Sequence, residues 1–148
     1  MNRYLLDTDT VSFVLSNHPA TVQRLRANQN NAAISIVTVQ EVFNGWAGRL
    51  NTAKTIEEIV FLYDRLFRTM AFFRGIPILN FDEKAAERFQ SLIQNNPQLN
   101  KHKLQKDMRI AAIAIANDAI VVTRNQRDFS LVPELTILDW SVPDNGCP

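Results

Sequence analysis

Asp7 and Asp9 stand one residue apart, directly after the apolar run Tyr4-Leu5-Leu6, and the chain turns apolar again at Val11. A carboxylate in that place can be a phosphoryl-accepting nucleophile with its neighbour as general acid, a ligand for a hard cation, or a helix N-cap. Other acids and amides follow at wide spacing: Glu41 in "TVQEVF", Asp107 in "QKDMRIAAIAIA", and Asn125 and Asp128 in "VVTRNQRDF". Each also has a purely local explanation. Thr38 and Glu41 form a capping-box pattern, Asp107 at the head of an apolar helix suits the macrodipole, and Asn125 and Asp128 suit a turn.

The elements that must position these residues are read from periodicity. Residues 3–6 predict a short buried strand, followed by a helix over 11–16 that Asp9 or Thr10 would cap. Pro19 suits the first turn of a second helix with Val22 and Leu25 inward. The β-branched stretch 32–38 predicts another strand, with a helix beginning near Thr38. In 55–73, Ile56, Ile59, Val60, Tyr63, Leu66, Phe67 and Met70 recur at helical spacing between charges, and this stripe reads as core or dimer surface. Residues 76–81 suit a strand that Pro77 confines to its start or to a sheet edge. Asp82 would cap the next helix, and 97–103 reads as a polar linker. A nearly all-apolar helix over 105–118 leads to the strand 119–123, and 135–140 supplies a last one. Strands alternating with helices predict a three-layer α/β fold with a mainly parallel central sheet, whose ligands bind beyond the carboxyl ends of the strands.

That rule gives the scattered acids a common destination. One follows the first strand, one lies in the helix after the second, one opens the last buried helix, and Asn125 follows the next strand. Converging on one sheet edge, the carboxylates would repel and raise one another's pKa unless a cation neutralised them. All-oxygen ligation with waters suits Mg²⁺ or Mn²⁺ better than zinc.

The bulk properties are permissive. With 148 residues, 46% hydrophobic and 21% charged, the chain fits one domain over 1–148 that buries roughly 68–70% of its unfolded surface. The formal net charge of +1 does not itself advertise a polyanionic partner, so any nucleic-acid reading rests on local clustering of Lys101, Lys103, Lys106, Arg109, Arg124 and Arg127 around the later acids. Those charges read equally as a solvated face. A single cysteine, Cys147, excludes an intramolecular disulfide or a thiolate cage and suits a reducing cytoplasm. The first apolar stretch is broken by Asp7 and Asp9 before it reaches signal-peptide length, and no run approaches the ~20 apolar residues of a membrane span. His18 and His102 fall in polar loops and read as solvated; no Ser-His-Asp or Cys-His constellation is evident.

Two family resemblances compete for Asp7. "YLLDTDTV" resembles the opening motif of haloacid-dehalogenase-like phosphotransferases, which would make Asp7 the nucleophile and Asp9 the acid/base. The family's late acidic pair has no counterpart in "TRNQRDF". Nearly the whole chain, by contrast, is similar to PIN-domain ribonucleases of the VapC toxin type. "LLDTDTVS" resembles their Leu-Asp-Thr-Asn-x-Leu-Ser opening, "SIVTVQEVFNG" their Ser-x-x-Thr-x-x-Glu-Leu-x-x-Gly, and "KDMRIAAIAIANDAIVVTRNQRDF" their C-terminal block, which ends in a tryptophan.

The second resemblance implies a PIN-like α/β/α fold and a metal-dependent endoribonuclease. Asp7, Glu41 and Asp107 fall on the family's acidic site positions, with Asp7 and Asp107 as ligands for Mg²⁺ or Mn²⁺ and Glu41 completing the shell or acting as base. Asn125 stands at a fourth position that is often Asp, flanked by Thr123 and Asp128, and Asp9 becomes a supporting or capping residue. Lys103, Lys106, Arg109, Arg124 and Arg127 are the expected RNA contacts. The resemblance further implies a small VapB-like antitoxin as partner, and a homodimer. A weakened PIN-like module that binds RNA or protein is the non-enzymatic alternative that Asn125 leaves open.

Overall fold

The computed structural model describes residues 2–143; Cys147 lies outside them. Five strands form one sheet, β1 (Arg3–Leu6), β2 (Ala32–Ser35), β3 (Ile78–Leu79), β4 (Ala119–Val122) and β5 (Ile137–Leu138), in the order β3-β2-β1-β4-β5. Every pairing is parallel. Between β1 and β2 lie helices α1 (Thr8–Leu15) and α2 (Pro19–Ala27), and between β2 and β3 lie α3 (Ile36–Thr52) and α4 (Ile56–Arg74). Helices α5 (Glu83–Asn95) and α6 (Gln105–Ala116) lead to β4, and α7 (Gln126–Phe129) leads to β5.

The alternation of a strand sorts the core into two layers. Leu5, Ala33 and Val121 point to one face, where they meet Met108, Ile110, Ile113 and Ala114 of α6, Leu92 of α5 and Phe129 of α7. Leu6, Ile34 and Val122 point to the other, against Val11 of α1, Val42 of α3, Phe73 of α4 and Trp140. Strands buried on both faces explain the unbroken apolar runs in the sequence. Strand order grows outward from β1 in both directions, so the chain switches sides between β1 and β4. The carboxyl ends of those two strands frame the crevice where such sheets bind ligands.

Several boundaries differ from the sequence expectation, each for an identifiable reason. Helix α1 begins earlier than 11–16, because Asp7 itself is the cap and accepts from the Thr10 amide at 2.9 Å; neither Asp9 nor Thr10 caps it. Strand β2 ends at Ser35, whose hydroxyl accepts from the Thr38 amide at 3.0 Å and starts α3 three residues before Thr38. Thr38 is thus not the cap, and Glu41 does not reach back in a capping box. The linker at 97–103 is shaped by 3-10 turns at Pro97–Leu99 and His102–Leu104 that bury Leu99 and Leu104. His18 is not a solvated loop residue. Its Nδ1 accepts from the Thr21 amide at 3.4 Å to cap α2, and its ring lies 4.9 Å from that of Phe13.

Pro77 precedes the edge strand β3, as its missing N–H requires, and Asp82 caps α5 through the Ala85 amide at 3.0 Å. The expected apolar stripe of α4 does not face the core: Ile56, Val60, Tyr63, Phe67 and Met70 stand exposed and Ile59 and Leu66 are half-buried, because the helix instead turns Leu62, Thr69 and Phe73 inward.

Candidate active site

Asp7 follows β1 without an intervening residue, and its backbone N–H donates to Val122 O at 3.0 Å, which ties it to the end of β4. Thr10 reinforces the joint by donating its hydroxyl to the same carbonyl at 2.9 Å. Asp7 is 4% exposed, so its carboxyl is both a helix cap and a buried acid. Burial pushes its pKa up, against the Thr123 hydroxyl and the Thr10 amide, which favour the charged form; the nearby Asp9 charge adds a smaller upward push.

Thr123, fully buried at the end of β4, also accepts from the Asn125 backbone N–H at 2.8 Å. Asn125 then uses both hydrogens of its side-chain amide: Nδ2 donates to Asp107 Oδ2 at 3.1 Å and to Asp128 Oδ2 at 3.0 Å. One amide thereby holds two carboxylates that would otherwise repel. Burial, and after it the charges of Asp7, Glu41 and Asp128, push the Asp107 pKa up to about 6, with the Asn125 amide opposing. Asp128 is held below its ordinary value, first by Asn125 and then by Arg127 and Lys103.

Glu41 enters from α3 on the opposite side of Asp7. Thr8, the residue after Asp7, donates its hydroxyl to Glu41 Oε1 at 2.7 Å, and the Thr38 hydroxyl lies 3.1 Å from Thr8 Oγ1. With its one proton spent on the carboxylate, Thr8 is left to accept from Thr38. Sequence reasoning missed Thr8; a hydroxyl beside a site acid is the only signal it carries. We expect Thr8→Val, which removes this donor but keeps the shape, to lower kcat about tenfold with little change in Tm, the loss of one hydrogen bond to a charged acceptor. Unchanged kcat would show that Glu41 needs no such orientation.

Asp7, Glu41, Asp107, Asn125, Thr123 and Asp128 therefore come together, whereas Asp9 is exposed on the first turn of α1, away from the general-acid role. Lys103, Lys106 and Arg109 line a cleft of about 390 Å³ with Glu41, Asp107 and His102. Arg124 instead stacks over Phe13 at 5.0 Å, and Arg127 pairs with Asp128 at 3.3 Å on an exposed surface.

Among the described residues, no lysine or arginine forms an ion pair with Asp7, Glu41 or Asp107. Nor do any three acidic, His or Cys side chains close into a ready-made cage. Partly buried carboxylates without a protein counter-charge fit a hard divalent cation that keeps much of its water. The carboxylate and amide oxygens gathered here thus suit a hard divalent cation, and no thiolate lies among the described residues of the cleft.

The PIN domain family model matches residues 4–135. The chain belongs to the PIN-domain family. A tRNA(fMet)-specific endonuclease VapC of Shigella flexneri is 28% identical over 142 residues, covering 95% of this chain and all of that protein. Ribonuclease VapC2 of Haemophilus influenzae is 27% identical, over 95% of this chain and 99% of its own. Among solved structures, the DNA-bound VapBC of Salmonella typhimurium superposes with a TM-score of 0.75 at 26% identity, covering 95% of this chain and 99% of that one. The five-stranded parallel sheet with its layers of helices is a PIN fold, and the phosphotransferase alternative for Asp7 is not retained. Nuclease relatives along the full PIN domain likewise leave the non-enzymatic alternative unfavoured.

Proposed function

We propose that this chain is an endoribonuclease of the VapC kind that uses Mg²⁺ or Mn²⁺ to hydrolyse RNA phosphodiesters, and that a small VapB-like antitoxin restrains it in the cytoplasm. The observation that carries the reading is the meeting of Asp7, Glu41 and Asp107 at the carboxyl end of the central strands, unpaired with any cation among the described residues. Full-length similarity to ribonuclease toxins supports the reaction class, and the VapBC complexes support the antitoxin. Among the described residues, no helix is long and apolar enough to cross a membrane. A homodimer is a further part of the proposal, with the exposed apolar face of α4 as a surface available to it.

Asp7 and Asp107 would hold the divalent ion, with Asn125 and Asp128 around the second of them. Bound there, the cation supplies the charge that makes a water nucleophilic near neutral pH and offsets the charge gathering on the phosphate oxygens. Glu41, fixed by Thr8, is placed to take the proton from the attacking water. Asn125 keeps the Asp107 carboxylate turned into the site. Lys103, Lys106 and Arg109 line the cleft in which the phosphates on one side of the scissile bond would lie. We propose tRNA as the substrate class, following the Shigella relative.

The purified protein should cleave tRNA with Mg²⁺ or Mn²⁺ and lose that activity in chelator, while Asp9→Asn stays active. Full activity in chelator would overturn the metal reading. A covalent phosphate trapped on Asp7 would overturn the nuclease reading as well.

A further inference from the structure

Glu41 borders two grooves. One is the cationic cleft beside α6; the other, of about 370 Å³, runs between α1, α3 and α4 and is lined by Thr8, Trp46, Arg49, Phe61, Arg65 and Arg68 among others. Its two walls carry matching pairs. The Arg49 guanidinium lies 5.3 Å over the Trp46 ring on α3, and that of Arg65 lies 5.1 Å over the Phe61 ring on α4. Trp46 is fixed by donating Nε1–H to Thr69 Oγ1 at 3.1 Å, while Phe61 stays 47% exposed. Gly45, one turn beyond Glu41, also lines the groove, and a Cβ there would meet no atom within 4 Å. Arg68 is shared with Asp64 at 2.8 Å, and Glu41 is the only acid on the lining among the described residues.

A polynucleotide laid across the acids must leave them on both sides. The α6 side offers lysines and an arginine, which suit phosphates. The α3/α4 side offers rings and guanidinium planes, which suit an unstacked base. An acidic peptide would satisfy the arginines but leave the planar surfaces without a planar partner. Continuity with Glu41 also places the groove on the path of the substrate itself.

We propose that the α1/α3/α4 groove is a base-binding subsite: a nucleoside next to the scissile phosphate unstacks and lies against Phe61 and the Arg49 and Arg65 guanidinium planes. Arg68 then faces an adjacent phosphate. The position of the subsite rests on the nuclease reading of Asp7, Glu41 and Asp107.

Trp46 provides a readout independent of cleavage, since Trp140, at 2% exposure, is shielded from ligand. Full-length Asp107→Asn protein would be titrated with a short mixed-sequence single-stranded RNA, and with the same ribose-phosphate chain lacking bases. The intact RNA should quench Trp46 and bind about tenfold more tightly than the abasic chain, the worth of one stacked base. Phe61→Ala and Arg49→Gln should each erase most of that difference, whereas Leu131→Ala, exposed and outside both grooves, should not. Equal binding of the two chains, or a preference that survives Phe61→Ala and Arg49→Gln, would overturn the subsite. So would quenching by an acidic, aromatic peptide but not by RNA, which would give the groove to a protein partner. Base-dependent quenching without RNA cleavage by the wild type would instead sink the nuclease reading and leave the groove standing.

Discussion

Replacing Asp107 by Asn is expected to lower RNA cleavage by at least about 10³-fold and, in the same molecule, to raise the Tm of the metal-free protein by roughly 3–6 °C. The first effect follows from the loss of one of two proposed metal ligands. The second follows from electrostatics. Burial and three neighbouring carboxylates lift the Asp107 pKa from 3.8 to about 6, so its ionised form is held at a cost. At about 1.36 kcal/mol per pKa unit this would reach about 3 kcal/mol, and partial solvent access reduces it to about 1–2 kcal/mol. Asn keeps the size, removes the charge and can still meet the Asn125 amide through its own carbonyl. Thermal melts in chelator together with single-turnover cleavage test both halves. A lower Tm for Asp107→Asn would show that Asp107 stabilises the fold, contrary to the charge-repulsion account.

The pH dependence carries a definite sign. Below pH 3.8 Asp107 is protonated in the folded and unfolded chain alike and costs nothing. Between pH 3.8 and about 6 the folded chain retains a proton that the unfolded chain has lost, so stability falls as pH rises through this window. Above it the cost is constant. Asp7, also raised, acts in the same direction, whereas Asp128, held low by Asn125, loses its contribution as pH falls. The gap in Tm between metal-free wild type and Asp107→Asn should therefore open through that window and stay level above it. A divalent ion selects the ionised carboxylates, so its affinity should rise with pH over the same range.

Much of this site was legible because buried parallel strands and an all-apolar helix leave few ways to read them. The runs ending at Leu6 and Val122, and the helix around Ile110 and Ile113, fix where Asp7, Asn125 and Asp107 must emerge. Glu41 was legible in place but not in contacts. Ile36 and Val37 are β-branched and read as strand, yet Ser35 captures the Thr38 amide and turns them into the first turn of α3. Local propensity lost to a cap, and the partner of Glu41 proved to be Thr8 on another element. Cap and site residue read as alternatives for Asp7 in the sequence; in the fold Asp7 caps α1, and because a carboxylate has two oxygens the cap does not exclude the proposed ligand role. The groove was not legible at all. Trp46 and Phe61 sit on different helices whose pairing no short-range pattern encodes.

Asn125→Asp separates a fourth ligand position from a mere turn residue. In metal-free protein at neutral pH, the substitution replaces an amide that donates to Asp107 and Asp128 at 3.1 and 3.0 Å with a third carboxylate facing both. Two hydrogen bonds to charged acceptors are lost, each worth about 1.5–3 kcal/mol, and like charges are left in contact. Partial rotation away and proton uptake soften the loss, so the expected destabilisation is about 2–4 kcal/mol, a drop in Tm of roughly 6–12 °C. The backbone is not at issue, because the bond from the residue 125 N–H to Thr123 Oγ1 survives. With saturating Mn²⁺ the loss shrinks: an added carboxylate raises metal affinity about tenfold, and linkage restores about 1.4 kcal/mol of the lost stability. Melts in chelator and in Mn²⁺, with a calorimetric titration of the ion, read both effects. If Asn125→Asp is neutral in chelator and leaves Mn²⁺ affinity unchanged, the residue is outside the metal's reach. If the two effects appear together, Asn125 is what lets this chain fold around its carboxylates before a metal arrives.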